Sequence, residues 1–329
     1  MKKRLILAAM AAIMTMTVAI AQQIAVVSEG GETSVYDTFQ AAIEGADPGS
    51  VIYLPGGVFA LPDSVKITKR LTVIGIGNRP DNDNVDGTTM ISGNLWFNEG
   101  SRNSAVMACY ISGNIEIGQD DAAVNNILVK CCNFNAVNSK ANSENLIITQ
   151  NYIRNSSAIR GHGCLVSNNV LHSLRYMNSS TICYNLVRSN VSNDYYGRYP
   201  SCFNDVDNCN IYNNIIVDKG GSGPDWSCGG NQVNRNLFIN YSWGNNCVNL
   251  TDCTGEDLFV NWNGGAINPI SDFHFKEPYT QYNDIGIYGG NGFNDHQTAP
   301  VPYIVAKRIA GQTDAAGQLK IKVRVNSGN

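Results

Sequence analysis

The feature that most constrains the fold is a short phrase that recurs along the middle of the chain. Each copy is a run of a few apolar residues, rich in Ile, Leu and Val, beside an asparagine. The copies recur about every 20 residues. One such run is too short for a helix and cannot bury its apolar face alone, whereas stacked copies form a continuous core. The copies lie at 126–134, 145–153, 163–171, 184–187, 213–216 and 235–238, with an earlier one at 108–111.

The asparagines of these copies predict a parallel β-helix. The first three copies align on Asn133, Asn151 and Asn169, which follow one another at two equal steps. Asparagine tolerates the left-handed backbone that a sharp bend between strands needs. Amides one coil apart would lie about 4.8 Å from each other, within reach of a hydrogen bond. The alternative, asparagines that mark loops between unrelated strands, stays open.

The first 21 residues have the pattern of a signal peptide. Basic residues at 2–4 precede a largely apolar, uncharged run, and Ala19-Ile20-Ala21 fits a small-residue cleavage site. No charged flank follows Gln22, and no cysteine stands at the cleavage point, so we expect neither a membrane anchor nor a lipid-modified terminus. We therefore predict export to the periplasm, the cell surface or the medium, with no membrane span in the mature chain.

Charge narrows the partners of the mature chain. Removal of residues 1–21 takes away three basic residues and no acidic one, which lowers the net charge from −4 to about −7. This balance argues against nucleic acid as a partner. It also supplies no long-range attraction for anionic polysaccharides.

All ten cysteines belong to the part that would be exported, where disulfides can form. Neighbouring coils bring thiols close enough for disulfides, but side-by-side parallel strands often miss the required dihedral angle. Disulfides and a buried ladder of reduced thiols both stay open. Zinc is not expected, since no CxxC pair is present. Two series of three evenly spaced cysteines predict stacked thiols: Cys164, Cys183 and Cys202, then Cys209, Cys228 and Cys247.

The segment after residue 36 predicts a helix that caps the open end of the solenoid. Asp37 and Gln40 have capping-box spacing, Gly45 ends the turn, and Phe39, Ala42 and Ile43 form one apolar face. A cap of this kind would protect the first strand edge from aggregation.

The first coil carries a family resemblance. The sequence Asp-Pro-Gly-Ser-Val-Ile-Tyr-Leu-Pro-Gly-Gly-Val-Phe at 47–59, followed by Leu-Thr-Val-Ile-Gly at 71–75, resembles the start of pectin-lyase-like proteins. The resemblance extends over about residues 35–290 and implies a right-handed coil. Residues 283–290 resemble the closing phrase of secreted β-helix proteins from Bacteroidetes.

These patterns together predict an all-β protein: a single right-handed parallel β-helix with an N-terminal capping helix and a C-terminal β-hairpin. We expect a signal peptide at 1–21, the β-helix at 22–299 and the hairpin segment at 300–329. The hairpin would join strands near 303–306 and 319–325 and cover the far end. The alternative is a strand that docks on an envelope protein.

Three loops are candidate ligand sites. The acidic turn-rich loop at 78–87 contains Asp81, Asp83 and Asp86, but its spacing fails the EF-hand pattern, so a solvated loop is expected. Two inserts, 188–207 and 218–230, offer side chains that suit sugar binding, since aromatic faces stack on sugar rings and arginine pairs with carboxylates. The alternative is that these aromatic residues cover apolar surface. The predicted substrate-binding residues are Tyr195, Tyr196, Arg198, Asp225 and Trp226.

The candidate catalytic residues rest on a second resemblance. Ser139-Lys140-Ala141-Asn142, followed about one coil later by Arg160-Gly161-His162-Gly163, is similar to polysaccharide lyase family six, the alginate and chondroitin lyases. The resemblance implies Lys140 as the base that removes the proton α to a uronate carboxylate. It places Arg160 near the leaving oxygen, with a cation such as calcium neutralising the carboxylate. His162 is the third candidate catalytic residue.

The chain departs from both families that it resembles here. Gly161 separates the arginine and histidine that the lyases keep adjacent, and the acidic residues left for calcium are Glu144, Asp120 and Asp121. Gly161-His162-Gly163 also matches an element of polygalacturonase-type hydrolases, but their paired carboxylates are missing one coil upstream. Solvated charges on a non-catalytic coil remain the alternative interpretation.

The function that we expect is therefore that of a secreted β-helix protein that binds or acts on polysaccharide. The alternatives are a uronate lyase that uses Lys140 and Arg160, and a structural or adhesive envelope component. No metal site or cofactor is predicted, except calcium if the chain is a lyase. His172, His274 and His296 have no partner at a meaningful spacing and are expected to be surface or structural residues.

Overall fold

The computed structural model describes residues 23–79, 87–118, 122–188, 202–217, 228–239, 243–262, 271–298, 303–313 and 318–326. Over these ranges the chain forms an all-β parallel β-helix, as the recurring phrase predicts. The right-handed sense stays a prediction. The signal peptide predicted for residues 1–21 and the acidic loop with Asp81, Asp83 and Asp86 lie outside the described residues. No helix in the described ranges is long and apolar enough to cross a membrane.

Three long sheets, which we call the first, second and third sheets, form the sides of the solenoid. The first sheet contains, in hydrogen-bonding order, Thr33–Tyr36, Ile24–Val27, Val51–Tyr53, Thr72–Ile74, Ala105–Met107, Leu128–Lys130, Ile147–Thr149, Leu165–Ser167, Thr181–Cys183, Asn210–Tyr212 and Gln232–Asn234. The second contains Gly57–Ala60, Thr89–Ser92, Tyr110–Ile111, Asn133–Phe134, Tyr152–Ile153, Val170–Leu171, Leu186–Arg188, Ile215–Val217, Leu237–Ile239 and Val248–Leu250. The third contains Leu95–Phe97, Ile115–Ile117, Val137–Glu144, Ser157–His162, Leu174–Asn178 and Phe203–Asn204.

Each coil visits the three sheets in turn. One coil passes through Leu128–Lys130 in the first sheet, Asn133–Phe134 in the second and Val137–Glu144 in the third, and Ile147–Thr149 then begins the next coil. Within these sheets, the described pairings are parallel except those of the strand Ile24–Val27, which runs antiparallel to both of its neighbours. Two short antiparallel pairs stand apart from these sheets: Phe259–Asn261 with Asp272–Phe275, and Tyr303–Thr313 with Leu319–Asn326.

Stacked aliphatic side chains fill the interior. Val106, Val129, Ile148 and Val166 occupy one register position of the first sheet on successive coils, and each is fully buried. Because neighbouring strands lie about 4.8 Å apart, each side chain packs directly on the equivalent one above and below. No single coil buries its apolar face, and the core exists only in the stack.

An asparagine ladder runs inside the bend between the first and second sheets. The ladder consists of five buried residues: Asn151, Asn169, Asn185, Asn214 and Asn236. The Nδ2 group of each of the first four donates a hydrogen bond to Oδ1 of the next asparagine, at 2.9–3.0 Å. The Nδ2 group of Asn236 donates to Cys247 Sγ at 4.0 Å. The alignment on Asn133 is wrong by one residue. Asn133 pairs with Tyr152, and the backbone N–H of Cys132 donates to Asn151 Oδ1 at 2.8 Å, so Cys132 occupies the ladder position on that coil.

The left-handed residue at this bend is the one before each ladder asparagine. Gln150, Asn168, Tyr184, Asn213 and Arg235 all have φ between 53° and 59°. The ladder asparagines themselves do not adopt positive φ. Their role is to satisfy the backbone groups of the bend with buried amide hydrogen bonds.

The N-terminal helix caps the coil stack as predicted, although its cap residue differs. The helix spans Phe39–Gly45, and Phe39, Ala42 and Ile43 join the main core. Thr38 is the N-cap, since its side chain accepts a hydrogen bond from the backbone N–H of Ala41 at 3.1 Å. The predicted capping box of Asp37 and Gln40 is wrong, because the Gln40 amide donates to Glu44 at 2.8 Å instead.

None of the ten cysteines, all of which lie in the described ranges, forms a disulfide. The first evenly spaced series does not stack, because Cys164 precedes a first-sheet strand, Cys183 lies in one, and Cys202 precedes a third-sheet strand. In the second series Cys209 precedes a first-sheet strand and Cys247 a second-sheet strand, so these two thiols do not stack either. The thiols that do stack are Cys109 and Cys132, one coil apart beneath the asparagine ladder. Burial raises the pKa of Cys109 to about 12.

Residues 253–262 and 271–298 cover the outer face of the second sheet. The outward side chains of this sheet are buried, among them Tyr152, Val170, Leu186, Ile215 and Leu237. They form a second core together with an aromatic cluster from the covering segment, made of Phe259, Trp262, Phe273, Phe275 and Phe293. The helix Gly255–Leu258 and the 3₁₀ helix Tyr279–Tyr282 belong to the same cover. The strands of the second sheet from Tyr152–Ile153 to Leu237–Ile239 therefore have buried side chains on both faces, whereas Val58 on the first strand is exposed.

Residues 283–298, which we call the strap, run back along the bend between the first and second sheets. Asn168 donates to the carbonyls of Ile287 at 2.9 Å and Gly289 at 2.8 Å, and Gln150 donates to the carbonyl of Gly292 at 2.7 Å. At the far end, Asn78 donates to Gln297 at 3.0 Å. The residues predicted as a closing phrase thus bind several coils together.

The C-terminal segment forms the predicted pair of strands. Tyr303–Thr313 pairs antiparallel with Leu319–Asn326, and both strands are longer than the sequence pattern indicates. The linker at 314–317 lies outside the described residues. Whether this pair covers the end of the solenoid or docks on a partner stays a prediction.

Candidate functional site

The third sheet carries the predicted catalytic residues on its outer face. Lys140 lies on the strand Val137–Glu144 and Arg160 on the next strand, Ser157–His162. Ser139 and Ile159 pair directly and are both buried, but the register shifts after Ser139, so that Ser143 pairs with Gly161. Lys140 and Arg160 are both exposed. The two residues therefore lie on neighbouring strands of the third sheet, on either side of a register shift.

His162 joins Arg160 on the same side of the strand because a glycine separates them. Successive side chains of a strand point to opposite faces, so positions 160 and 162 share the outer face. Gly161 points inward, where a Cβ atom would lie 2.0 Å from the carbonyl oxygen of Ser143. The glycine that departs from the lyase pattern thus lets two coils approach closely and aligns the arginine with the histidine.

Glu144 stands beside His162 across the coil interface. The two residues pair in register, and the Nε2 atom of His162 lies 3.3 Å from Oε1 of Glu144. Their side chains are 54 % and 45 % exposed, so solvent screens the pair and it adds little to stability. A contact through Nε2 leaves the Nδ1 atom of the imidazole for other partners.

An open depression lies between these coils. Its volume is about 540 Å³, and it is lined by Arg160, Gly161, His162, Tyr176, Asn178 and Ser179. Tyr176 and Asn178 belong to the strand Leu174–Asn178, one coil after Arg160. Lys140 is not among the lining residues, so the depression is centred on Arg160 and His162.

Arg160 is an exposed cation of this surface that contacts an aromatic ring. Its guanidinium lies over the ring of Tyr176 with 4.4 Å between the guanidinium carbon and the ring centroid. No carboxylate pairs with Arg160 in the part of the chain that the structure describes. A guanidinium held by an aromatic ring keeps its planar set of donors for an external carboxylate.

Lys140 has a different environment. Its Nζ atom lies 4.0 Å from Oε2 of Glu116, whose side chain is only 7 % exposed. Asn114 and Asn138 both donate to the other oxygen of Glu116 at 3.0 Å, and Oε2 itself accepts no hydrogen bond from a described residue. The ammonium of Lys140 is therefore held at the side of the depression by a buried carboxylate.

The described residues do not fit the calcium site that the lyase resemblance implies. Within them, no group of three or more His, Cys, Asp or Glu side chains is placed to hold a metal ion. Glu144 faces His162, and Glu116 is bonded by two asparagines and faces Lys140. Asp120 and Asp121 lie outside the described residues.

The predicted substrate-binding residues Tyr195, Tyr196, Arg198, Asp225 and Trp226 also lie outside the described residues. The structure shows only where their segments leave and rejoin the coils. The first leaves the second sheet after Leu186–Arg188 and rejoins the third sheet at Phe203–Asn204, next to the strand that carries Tyr176. The second leaves after Ile215–Val217 and rejoins ahead of Gln232–Asn234. Their role in binding stays a prediction.

A second, smaller depression contains a histidine that the sequence reasoning missed. His274 Nδ1 lies 2.7 Å from Oδ1 of Asp272, and its ring stacks on Tyr288 with 3.8 Å between ring centroids. Together with Arg79, Ser271 and Asp295 these residues line about 200 Å³. Burial, and next the Asp295 carboxylate, raise the pKa of Tyr288 far above its ordinary value, so its hydroxyl stays a donor to Asp295. The expectation that His274 has no partner at a meaningful spacing is wrong, since Asp272 contacts its ring. The Asp-x-His spacing along one strand could have indicated this pair, because residues two apart on a strand share a face.

Glu116 and Tyr176 were the other residues that the sequence reasoning missed. Tyr176 follows Arg160 by slightly less than one typical coil, which is a signal that the spacing could have given. Glu116 lies further upstream of Lys140 than one typical coil, and no spacing argument finds it.

Comparison of the chain with protein-family models, with curated proteins and with solved structures found no match. What the chain does must therefore be inferred from the geometry of the third sheet.

Proposed function

We propose that this chain is an exported protein that binds an acidic polysaccharide on the outer face of the third sheet. The observation that carries this is Arg160, an exposed guanidinium that is stacked on Tyr176 and has no carboxylate partner among the described residues. It lies in an open depression with His162, and Lys140 lies beside it. A uronate carboxylate matches the paired donors of a guanidinium.

The repeating coils explain why the ligand would be a polymer. Successive strands present outward side chains at intervals of about 4.8 Å along the solenoid axis. A linear chain of sugars that lies along this axis contacts one coil after another, whereas a single sugar contacts one or two. Extended surfaces of this kind are what solenoids use for binding.

The test is the affinity of the mature chain for a panel of polysaccharides, measured by affinity electrophoresis and calorimetry. We expect binding to polygalacturonate or alginate and none to neutral dextran, with an affinity that falls as salt is added. Arg160→Ala should lower the affinity about 10- to 100-fold, because a charge-assisted hydrogen bond contributes roughly 1.5–3 kcal/mol. The affinity of Arg160→Lys should lie between that of the unchanged chain and that of Arg160→Ala, since lysine keeps the charge but loses the paired donors.

The matched control is Arg70→Ala, which removes an exposed arginine that pairs with Glu29 near the N-terminal cap. It should bind as the unchanged chain does. No binding to any acidic polysaccharide would refute the proposed function, as would equal binding by Arg160→Ala.

A uronate lyase is the second candidate. The adjacency of Lys140 and Arg160 on neighbouring strands favours it, since this is the arrangement that the resemblance to polysaccharide lyase family six implies. The test is the ultraviolet absorbance of the unsaturated product with each uronate polysaccharide, with and without added calcium chloride. The envelope role has no support in the described residues beyond the terminal strand pair, and stays a prediction.

A further inference from the structure

The depression on the third sheet contains one acid–base pair, and Lys140 is not part of it. His162 lines the depression together with Arg160, and Glu144 contacts the imidazole from the preceding coil through Nε2. When Nε2 carries the proton that faces the carboxylate, Nδ1 has the free lone pair. A carboxylate that orients a histidine in this way is the arrangement that enzymes use for a general base.

Lys140 lacks this access. Its ammonium is paired with the buried carboxylate of Glu116, and its side chain does not line the depression. Two asparagines hold Glu116 in place, and the Lys140 ammonium lies 4.0 Å from its second oxygen. The two cations therefore differ in kind: Lys140 has an internal partner, and Arg160 has none among the described residues.

We infer that His162, oriented by Glu144, is the catalytic base of a β-elimination on a uronate bound by Arg160, and that Lys140 is not the base. This role rests on the acidic-polysaccharide binding proposed above. Arg160 binds the uronate carboxylate, which stabilises the negative charge that develops on it as the neighbouring carbon loses its proton. Tyr176 and Glu144 are positioning residues, the first for Arg160 and the second for His162.

The step balances without a co-reactant. The Nδ1 atom of His162 takes the proton from C5 of the uronate, and the electrons of that C–H bond form the C4=C5 double bond. The bond between C4 and the glycosidic oxygen breaks, and the oxygen leaves with its electron pair. That oxygen takes a proton from water in the open depression, and the imidazolium returns its proton to water.

The experiment measures turnover and affinity of the mature chain with polygalacturonate and alginate, using product absorbance and calorimetry. His162→Ala and His162→Gln should lower turnover at least about 100-fold, the usual contribution of a general base, with affinity changed less than about threefold. Added imidazole should restore part of the turnover of His162→Ala. Glu144→Gln should lower turnover with KM unchanged, and imidazole should not rescue it.

Lys140→Ala is the decisive comparison. It removes a cation of the same face, one coil away, and should lower turnover much less than His162→Ala does, because only the general base removes the proton. Arg70→Ala, near the N-terminal cap, is the control that should keep turnover unchanged. Loss of turnover in Lys140→Ala, with turnover kept in His162→Ala, would assign the base to lysine and overturn the inference. Binding of a uronate polymer by the unchanged chain, without any unsaturated product, would also overturn it while leaving the binding function intact. Absence of binding would refute the binding function as well.

Discussion

Replacement of Asn169 by alanine tests whether the buried asparagine ladder holds the coils together. The Nδ2 atom of Asn169 lies 2.8 Å from the Ile148 carbonyl oxygen and 2.9 Å from that of Ser167. Its Oδ1 atom accepts the backbone N–H and the Nδ2 of Asn151, both at 2.9 Å. The side chain is fully buried, so water cannot replace these bonds without opening the coil.

The cost can be worked from these contacts. Alanine leaves the backbone N–H of Asn151 buried without its acceptor, which costs roughly 1–3 kcal/mol. Two carbonyls lose a donor, and the missing amide leaves a small cavity, which together add about 2 kcal/mol. We expect a loss of about 3–5 kcal/mol in the free energy of unfolding, a large share of the usual total of about 5–15 kcal/mol.

The assay is urea unfolding followed by far-ultraviolet circular dichroism, with hydrogen exchange to locate the damage. Asn210→Ala is the matched control, because Asn210 is exposed on the outer face of the first sheet, and its loss should change stability by less than about 0.5 kcal/mol. Asn169→Asp keeps the size and removes the donors, so it should be at least as damaging as alanine. If the free energy of unfolding of Asn169→Ala lies within about 1 kcal/mol of that of Asn210→Ala, the ladder does not stabilise the stacked coils.

Three further outcomes follow from other parts of the structure. Gly161→Ala should lower polysaccharide affinity while the far-ultraviolet spectrum stays unchanged. The Cβ atom of the alanine would lie 2.0 Å from the Ser143 carbonyl oxygen and would displace Arg160. Unchanged affinity would contradict this. Gly286→Ala should loosen the strap and increase hydrogen exchange of the second sheet. The glycine has φ +84°, and the Cβ atom of an alanine would lie 2.2 Å from Ile215 Cδ1. Hydrogen-exchange protection equal to that of the unchanged chain would show that the strap does not lock the sheet. Burial raises the pKa of Cys109 to about 12 and of Cys131 to about 11 from an ordinary value of 9.0, so their stability contribution is complete below pH 9.0 and is lost as the pH rises through about 11 to 12. The urea midpoint should therefore fall across that range. At pH 8 the eight buried thiols should resist alkylation until urea exposes them, whereas the partly buried Cys228 and Cys247 should react sooner; rapid native labelling of Cys109 would refute this.

The fold could be predicted because the repeat determines both strand length and stacking, but it leaves open which side chain points inward. Asn133 illustrates the limit. It stands beside the same apolar pair as Asn151, yet it lies one position further along its coil and packs on the outer face of the second sheet. Since side chains alternate at every residue, a shift of one position moves a residue from the interior to the exterior.

Spacing also fails where coils differ in length. The step from Asn169 to Asn185 is little more than half of the step from Asn185 to Asn214, so no fixed interval can follow one column of the stack. That is why the evenly spaced cysteines of the first series lie at three different places in the coil. Lys140 and Arg160 lie on neighbouring strands, but the register shifts between Ser139 and Ser143, and sequence spacing does not indicate which residue lies opposite Arg160.

The outward-facing residues decide which side of the solenoid is left for a ligand. On the second sheet they include Tyr152 and Val170, and an apolar row of this kind requires a cover, which residues 253–262 and 271–298 supply. On the third sheet the outer positions include Lys140, Arg160 and His162, whose charged or polar groups favour contact with water. A cover over them would have to satisfy every charge, whereas an acidic sugar chain brings its own carboxylates. The character of the outward side chains therefore places the aromatic cover on the second sheet and leaves the third sheet open. On the third sheet, the Arg160 guanidinium, which has no carboxylate partner among the described residues, is the group that a uronate carboxylate would pair with.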